Sequence, residues 1–197
     1  MNHYSACHPS GNKPALGFEH GDSVKGQPDP LNLSNDLGFY YFAYGSCMCP
    51  VDLRRSLGES TYNYVIGHAT LHGYRLGFFR RSRFRNCGVL DVVRDRNASV
   101  EGVLYYLPWR LSAPLDLREE GYHHENVAVQ HQGQLYTNVR TYTVIEKTTG
   151  EHAPNDWYSS VVMRGAATCG LPKQYCWKLF HHMSQLQLNE QLSRAVG

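Results

Sequence analysis

Apolar residues along the chain gather in short runs, and most of these have the length of strands. The first, Phe39-Tyr40-Tyr41-Phe42-Ala43-Tyr44, begins after Gly38 and ends at Gly45-Ser46, as a buried strand entering a tight turn would. Pro50 then opens a predicted helix over Val51 to Leu57, with Gly58 as its carboxy-terminal cap. Further strands are predicted at Tyr62 to Ala69, Leu71 to Phe79, Cys87 to Val93, Val100 to Leu107, Glu125 to Gln130 and Gln134 to Ile145, runs rich in Val, Tyr and Leu. Between them, Ser112 is placed to cap a short helix with Pro114 in its first turn and Gly121 at its end, so that Asp116 to Glu120 lie on it. A last helix starts at Pro172, where Tyr175, Leu179, Met183 and Leu186 form an apolar stripe. Residues 1–36, with Pro9, Pro14, Pro28 and Pro30 among Gly and polar residues, offer little apolar surface to offset ordering entropy. They read as an unstructured or strap-like leader that adds little stability, ahead of one domain over residues 37–190.

Composition narrows the partners. Of 197 residues 42% are hydrophobic, which suits one medium-sized core. Nineteen basic against 17 acidic side chains give a net charge of +2, too balanced to make nucleic acid the default partner. No stretch approaches the roughly 18 consecutive apolar residues of a membrane span, and the first residues lack the basic-then-apolar pattern of a secretory signal. The six cysteines form no CxxC pair and read as reduced thiols, consistent with a cytoplasmic protein.

Five places carry candidate chemistry. The turn Tyr44-Gly45-Ser46-Cys47-Met48 lies between a strand and a helix, and Gly there lets backbone N–H groups turn toward an anion such as a carboxylate. Taken alone, such a junction more often serves simply as a connection. Glu119 follows an apolar strand on a short helical element, where partial burial favours a carboxylate's protonated form and suits it to proton transfer. The bland alternative is a solvated cluster of charges with Asp116 and Arg118. Cys47 and Cys49 invite a thiol-nucleophile reading, but no spacing pairs either with a histidine, so Cys47 is read as non-nucleophilic. Cys169, Cys176, His181 and His182 match no structural zinc spacing, and no metal is expected. Finally, Arg75, Arg80, Arg81, Arg83 and Arg85, interleaved with Phe78, Phe79 and Phe84, read as a hairpin with a solvated basic tip. Recruitment of an acidic substrate is the second option there, and a single-stranded nucleic-acid platform the third.

These pieces fall in one order. Tyr41-Phe42-Ala43-Tyr44-Gly45-Ser46 resembles the YFAYGSN signature that opens the γ-glutamyl cyclotransferase family. Val100-Glu101-Gly102-Val103-Leu104-Tyr105 is similar to its GV(L/V)(Y/W) strand, and Leu115-Asp116-Leu117-Arg118-Glu119 to the LDxxE segment that holds its catalytic glutamate. Arg140-Thr141-Tyr142, Tyr158, Gly165-Ala166 and Gly170-Leu171-Pro172-Lys173-Gln174-Tyr175 resemble the closing pattern of two tyrosines, then GA, then GLPxxY. The resemblance covers about residues 39–182, and five ordered motifs make it specific where each alone is weak. It departs at Cys47, where near family members carry Asn and the glutathione-specific branch carries Leu.

The resemblance implies an α+β fold built on a small mixed β-barrel or strongly curved sheet with flanking helices. It also implies that Gly45, Ser46 and Cys47 hold the α-carboxylate of a γ-glutamyl group in an aromatic pocket with Tyr44, Tyr142 and Tyr158. Glu119 would then act as acid and base, releasing 5-oxoproline and a free amine without a cofactor. The motifs specify only the glutamyl end. An ε-linked γ-glutamyl-lysine, an acylated aminoglycoside, or a protein that binds without turnover therefore stand as alternatives.

Overall fold

The computed structural model describes residues 37–196; the expected leader over residues 1–36 lies outside them. Five strands close into a barrel: β1 (Gly38–Ala43), β2 (Val65–Ser82), β3 (Cys87–Pro108), β4 (Tyr122–His131) and β5 (Gln134–Val144), in spatial order β1-β3-β2-β4-β5. All neighbours run antiparallel except β1 and β5, which meet in parallel at Tyr41 and Arg140. The predicted mixed barrel is therefore the fold observed. Four helices flank it: α1 (Pro50–Leu57), α2 (Ser112–Arg118), α3 (Asp156–Thr168) and α4 (Lys173–Val196).

β1 explains its own composition. Phe42 and Ala43 are fully enclosed because the strand lies between β3 and β5, so both edges are hydrogen-bonded and its side chains meet Leu104, Tyr105 and Leu107 in the core. The strand then runs straight into a 3-10 turn over Ser46–Met48, whose bonds run from the Met48 and Cys49 N–H groups to the Gly45 and Ser46 carbonyls.

Two pairs of predicted strands merge. Tyr62 to Ala69 and Leu71 to Phe79 belong to β2 apart from a 3-10 turn at Tyr62–Tyr64, and Cys87 to Val93 with Val100 to Leu107 form β3. The polar breaks between them are register shifts near His72 and Tyr74, and exposed ribbon beyond Val93, rather than chain reversals. The helix over Pro50–Leu57 ends as expected, with the Gly58 N–H donating to the Arg54 carbonyl. α2 departs slightly from expectation: Ser112 is its first helical residue rather than its cap, and its hydroxyl accepts from Arg140 instead. The predicted stripe on α4 packs inward through Leu179 and Met183.

α3 has no counterpart among the predicted elements. Its signal is nevertheless in the sequence: Asn155 accepts from the Tyr158 N–H as an N-cap, and Tyr158, Val161, Val162, Gly165 and Ala166 recur with helical period. This helix braces the 3-10 turn. A Cβ at Gly165 would sit 2.6 Å from the Cys49 nitrogen and 2.8 Å from the Met48 carbonyl carbon, so only glycine allows the helix backbone so near the turn.

Gly165→Ala is accordingly expected to cost roughly 1–3 kcal/mol, the usual scale of overpacking. Denaturant midpoints at unchanged m-value check this, and an unaltered midpoint would show that α3 does not brace the turn.

Candidate functional site

The turn after β1, the carboxy-terminal end of α2 and the first turn of α3 converge on one cavity of about 910 Å³. All seven residues singled out by the sequence, Tyr44, Gly45, Ser46, Cys47, Glu119, Tyr142 and Tyr158, line it. Glu119 occupies the C-cap of α2, and its carboxylate is 14% exposed, whereas Glu120 is turned to solvent. Adjacent carboxylates on a helix end cannot share one direction, and here Glu119 is the inward one.

The Cys47 thiol donates to Glu119 Oε1 at 2.9 Å, and Arg118 Nε donates to the same sulfur at 2.9 Å. Arg118 also reaches Asp52 Oδ2 at 2.6 Å and Ser46 Oγ at 3.3 Å, and it bonds the Ser56 hydroxyl. With side-chain exposures of 8% each, Arg118 and Asp52 form a buried ion pair, not the solvated cluster that the sequence allowed. The guanidinium stays charged: burial works against it, and the neighbouring Cys47, Glu119 and Asp52 more than offset that cost. Sequence reasoning missed Asp52 and the burial of Arg118, because a charge among charges at a helix end gives no sign of facing inward.

The aromatic wall is fixed by its own hydroxyls. Tyr44 donates to the Tyr142 carbonyl at 2.5 Å, and Tyr142 donates to Asp116 Oδ1 at 2.5 Å. Tyr158 accepts from the Leu90 N–H at 3.0 Å while Tyr122 donates to the Leu90 carbonyl at 2.9 Å, so one residue of β3 orients both rings. Burial pushes the Tyr44, Tyr122 and Tyr158 phenols well up, and they remain neutral hydrogen-bonding groups. A Cβ at Gly45 would lie 3.3 Å from the Tyr158 hydroxyl, so a side chain there would narrow the cavity beside the turn.

Among the described residues no three His, Cys, Asp or Glu side chains cluster to hold a metal ion, and no helix is long and apolar enough to cross a membrane. The five described cysteines are free. Burial pushes the Cys47 thiol up to about 12, against the opposing pull of Arg118 and with Glu119 adding to the rise. From an ordinary value of 9.0, that leaves roughly a thousandfold less thiolate near neutrality, the species nucleophilic attack requires. Since folding raises this pKa, Cys47 contributes stability that is fully present below pH 9.0 and is lost as pH rises toward about 12. Alkylation of Cys47 by iodoacetamide at pH 8, followed by peptide mass mapping, should be at least about a hundredfold slower in the folded than in the unfolded chain. Labelling at the unfolded rate would mean a reactive thiolate in the cavity.

Residues 99–179 match the model of the AIG2-like family. YkqA of Bacillus subtilis (strain 168), named provisionally as a γ-glutamylcyclotransferase, is 31% identical over 151 residues, which make up 75% of this chain and 53% of that protein. The chain thus spans about half the length of this curated relative. The crystal structure of YkqA superposes with a TM-score of 0.68, covering 75% of this chain and 54% of YkqA. A solved γ-glutamyl cyclotransferase, 24% identical, shares the fold with a TM-score of 0.66 over 73% of this chain and 86% of its own. An uncharacterised protein from Homo sapiens, 25% identical, gives 0.65 over 72% and 86%. The ordered motifs, the barrel with its flanking helices and these matches agree: residues 99–179 are AIG2-like, and the chain has the γ-glutamyl cyclotransferase-like fold.

Proposed function

We propose that the protein is a γ-glutamyl cyclotransferase that releases 5-oxoproline and a free amine from a γ-glutamyl substrate, with Glu119 as general acid and base. The observation that carries this reading is the contact between Glu119 Oε1 and Cys47, which fixes the carboxylate against the Gly45-Ser46-Cys47 turn inside a single aromatic cavity. The turn spends the N–H groups of Met48 and Cys49 on its own carbonyls, and as at any helix start the earlier N–H groups are available to an acceptor. In this reading the N–H groups of Gly45, Ser46 and Cys47 hold the α-carboxylate, and the α-ammonium lies toward Glu119.

The reaction then needs one proton carrier. Glu119 takes a proton from the α-ammonium, and the freed nitrogen attacks the substrate's own γ-carbonyl carbon to close a five-membered ring. As the tetrahedral centre collapses, the bond to the leaving nitrogen breaks and Glu119 returns the proton to it. The ring nitrogen then gives its surplus proton to the freed carboxylate, which passes it to the departing amine, so that a neutral lactam and an ammonium leave. Atoms balance without water. Ring closure draws on effective molarities of about 10⁵–10⁸ M when the two groups are well oriented, so the protein's task is mainly to hold the chain folded. Tyr44, Tyr142 and Tyr158 support this by supplying flat, neutral walls locked by their hydrogen bonds. Cys47 serves as a spacer and weak donor that keeps Oε1 in place, leaving Oε2 for the substrate. Free cysteines suit a reducing compartment such as the cytoplasm.

Glu119→Gln keeps size but cannot accept a proton, so 5-oxoproline release should fall by roughly 10²- to 10⁴-fold or more, the scale of lost acid/base catalysis. Glu120→Gln should stay active, and binding of a γ-glutamyl ligand to Glu119→Gln, measured by calorimetry, should survive. Cyclisation by Glu119→Gln at the wild-type rate would overturn the mechanism.

A further inference from the structure

Part of the cavity wall is built by the hairpin joining β2 to β3. Its four arginines, Arg80, Arg81, Arg83 and Arg85, all line the cavity that contains Glu119. The tip is therefore not simply a solvated basic loop, as the sequence suggested, since two of its cations are held in the wall. The Arg80 guanidinium stacks on Tyr122 at 5.1 Å and lies so close to Gly121, two residues beyond Glu119, that a Cβ there would collide with it. The Arg85 guanidinium stacks on Tyr158 at 5.5 Å and on Trp157 at 5.7 Å, placing it near the ring that abuts Gly45. Arg80 and Arg85 thus flank the approach to the proposed glutamyl site, one from the side of Glu119 and one from the side of the turn.

Their partners are rings and neutral oxygens, not carboxylates. Arg81 bonds the Asn86 side chain at 2.9 Å, and among the described residues no carboxylate lies within 4.0 Å of any of the four guanidiniums. Arg85 Nε is buried and makes no hydrogen bond among the described residues, an unmet donor in the cavity wall. Glu120 and Glu146 also reach this cavity, but both are solvent-exposed and neither pairs with the hairpin. Stacked arginines keep their charge and forked donors, and they are preorganised for planar anions such as carboxylates. A volume of about 910 Å³ falls at the upper end of ligand pockets, with room beyond the glutamyl group for what is attached to it.

We propose that the leaving part of the substrate is anionic, an amino acid or short peptide carrying two or more carboxylates, with Arg80, Arg81, Arg83 and Arg85 as its specificity-determining wall. The inference rests on the cyclotransferase reading and selects among its substrates. Acidic γ-glutamyl peptides are favoured, while an aminoglycoside or an amine with a free ammonium group would meet like charge at the hairpin. Confinement of Arg80 and Arg85 to a concave wall beside Glu119 fits a small anion rather than a nucleic-acid backbone.

The test uses the full chain and compares initial rates of 5-oxoproline release from γ-glutamyl-glutamate, γ-glutamyl-alanine amide and Nε-γ-glutamyl-lysine. The expected kcat/KM is at least about tenfold higher for γ-glutamyl-glutamate than for the neutral amide at low salt, with the gap narrowing as salt screens the arginines. In the double variant Arg81→Gln and Arg83→Gln, both at exposed positions, that preference should shrink several-fold, the loss falling on the acidic compound. Equal kcat/KM for the three compounds, or an unchanged preference in the double variant, overturns the inference and leaves the cyclotransferase reading standing. An equal loss on all three would assign the arginines to the common glutamyl end and also overturns it. Absence of 5-oxoproline from every compound removes the reaction itself, and this inference with it.

Discussion

Burying the Arg118 guanidinium obliges its surroundings to supply acceptors, and that requirement ties the cavity floor together. Asp52 comes from α1, Ser46 and Cys47 from the turn after β1, and Glu119 from the end of α2, so three separate segments meet on one cation. A charge so enclosed is tolerated only when paired and hydrogen-bonded, and removing one partner of such a pair generally costs several kcal/mol. The same arrangement places the Cys47 sulfur between guanidinium and carboxylate, donating to one and accepting from the other. Position and raised pKa of the thiol therefore share one cause: it is deep, it is bonded on both sides, and its proton points at the Glu119 carboxylate.

The barrel supplies the rigidity this floor needs. β1 is hydrogen-bonded on both edges and ends at Ala43, two residues before Gly45, so the turn starts from a fixed strand end. α3 closes on the turn from outside through Gly165, and Tyr105 donates to the Cys47 and Met48 carbonyls at 3.2 Å from within. Leu90 on β3 sets Tyr122 and Tyr158, and those rings in turn carry the arginines of the hairpin. Preorganisation thus passes from strand to ring to cation.

Much of this was legible because chemistry and local structure coincide in sequence. Pro50 and Gly58 bracket α1, the aromatic run ending at Gly45-Ser46 marks a strand entering a tight turn, and Glu119 follows an element that places it at a helix end. What escaped is what depends on long-range contact. The β2 and β3 ribbons were cut in two because their polar middles look like turns, although ladder bonds carry both strands through. α3 went unread for another reason, since its apolar spacing and Asn155 cap were visible but Gly165 in its interior weakens a helix expectation. The inward turn of Arg118, and the folding of Arg80 and Arg85 against tyrosines far along the chain, have no local signature at all.

Incubating the protein with a γ-glutamyl dipeptide in oxygen-18 water, and analysing the products by mass spectrometry, tests the central claim most directly. If the α-amine of the substrate is the nucleophile, 5-oxoproline and free amine appear in equal amounts and the 5-oxoproline carries no heavy oxygen. Release of glutamate labelled in its side-chain carboxylate would show water to be the nucleophile instead, and the proposed cyclisation would be wrong.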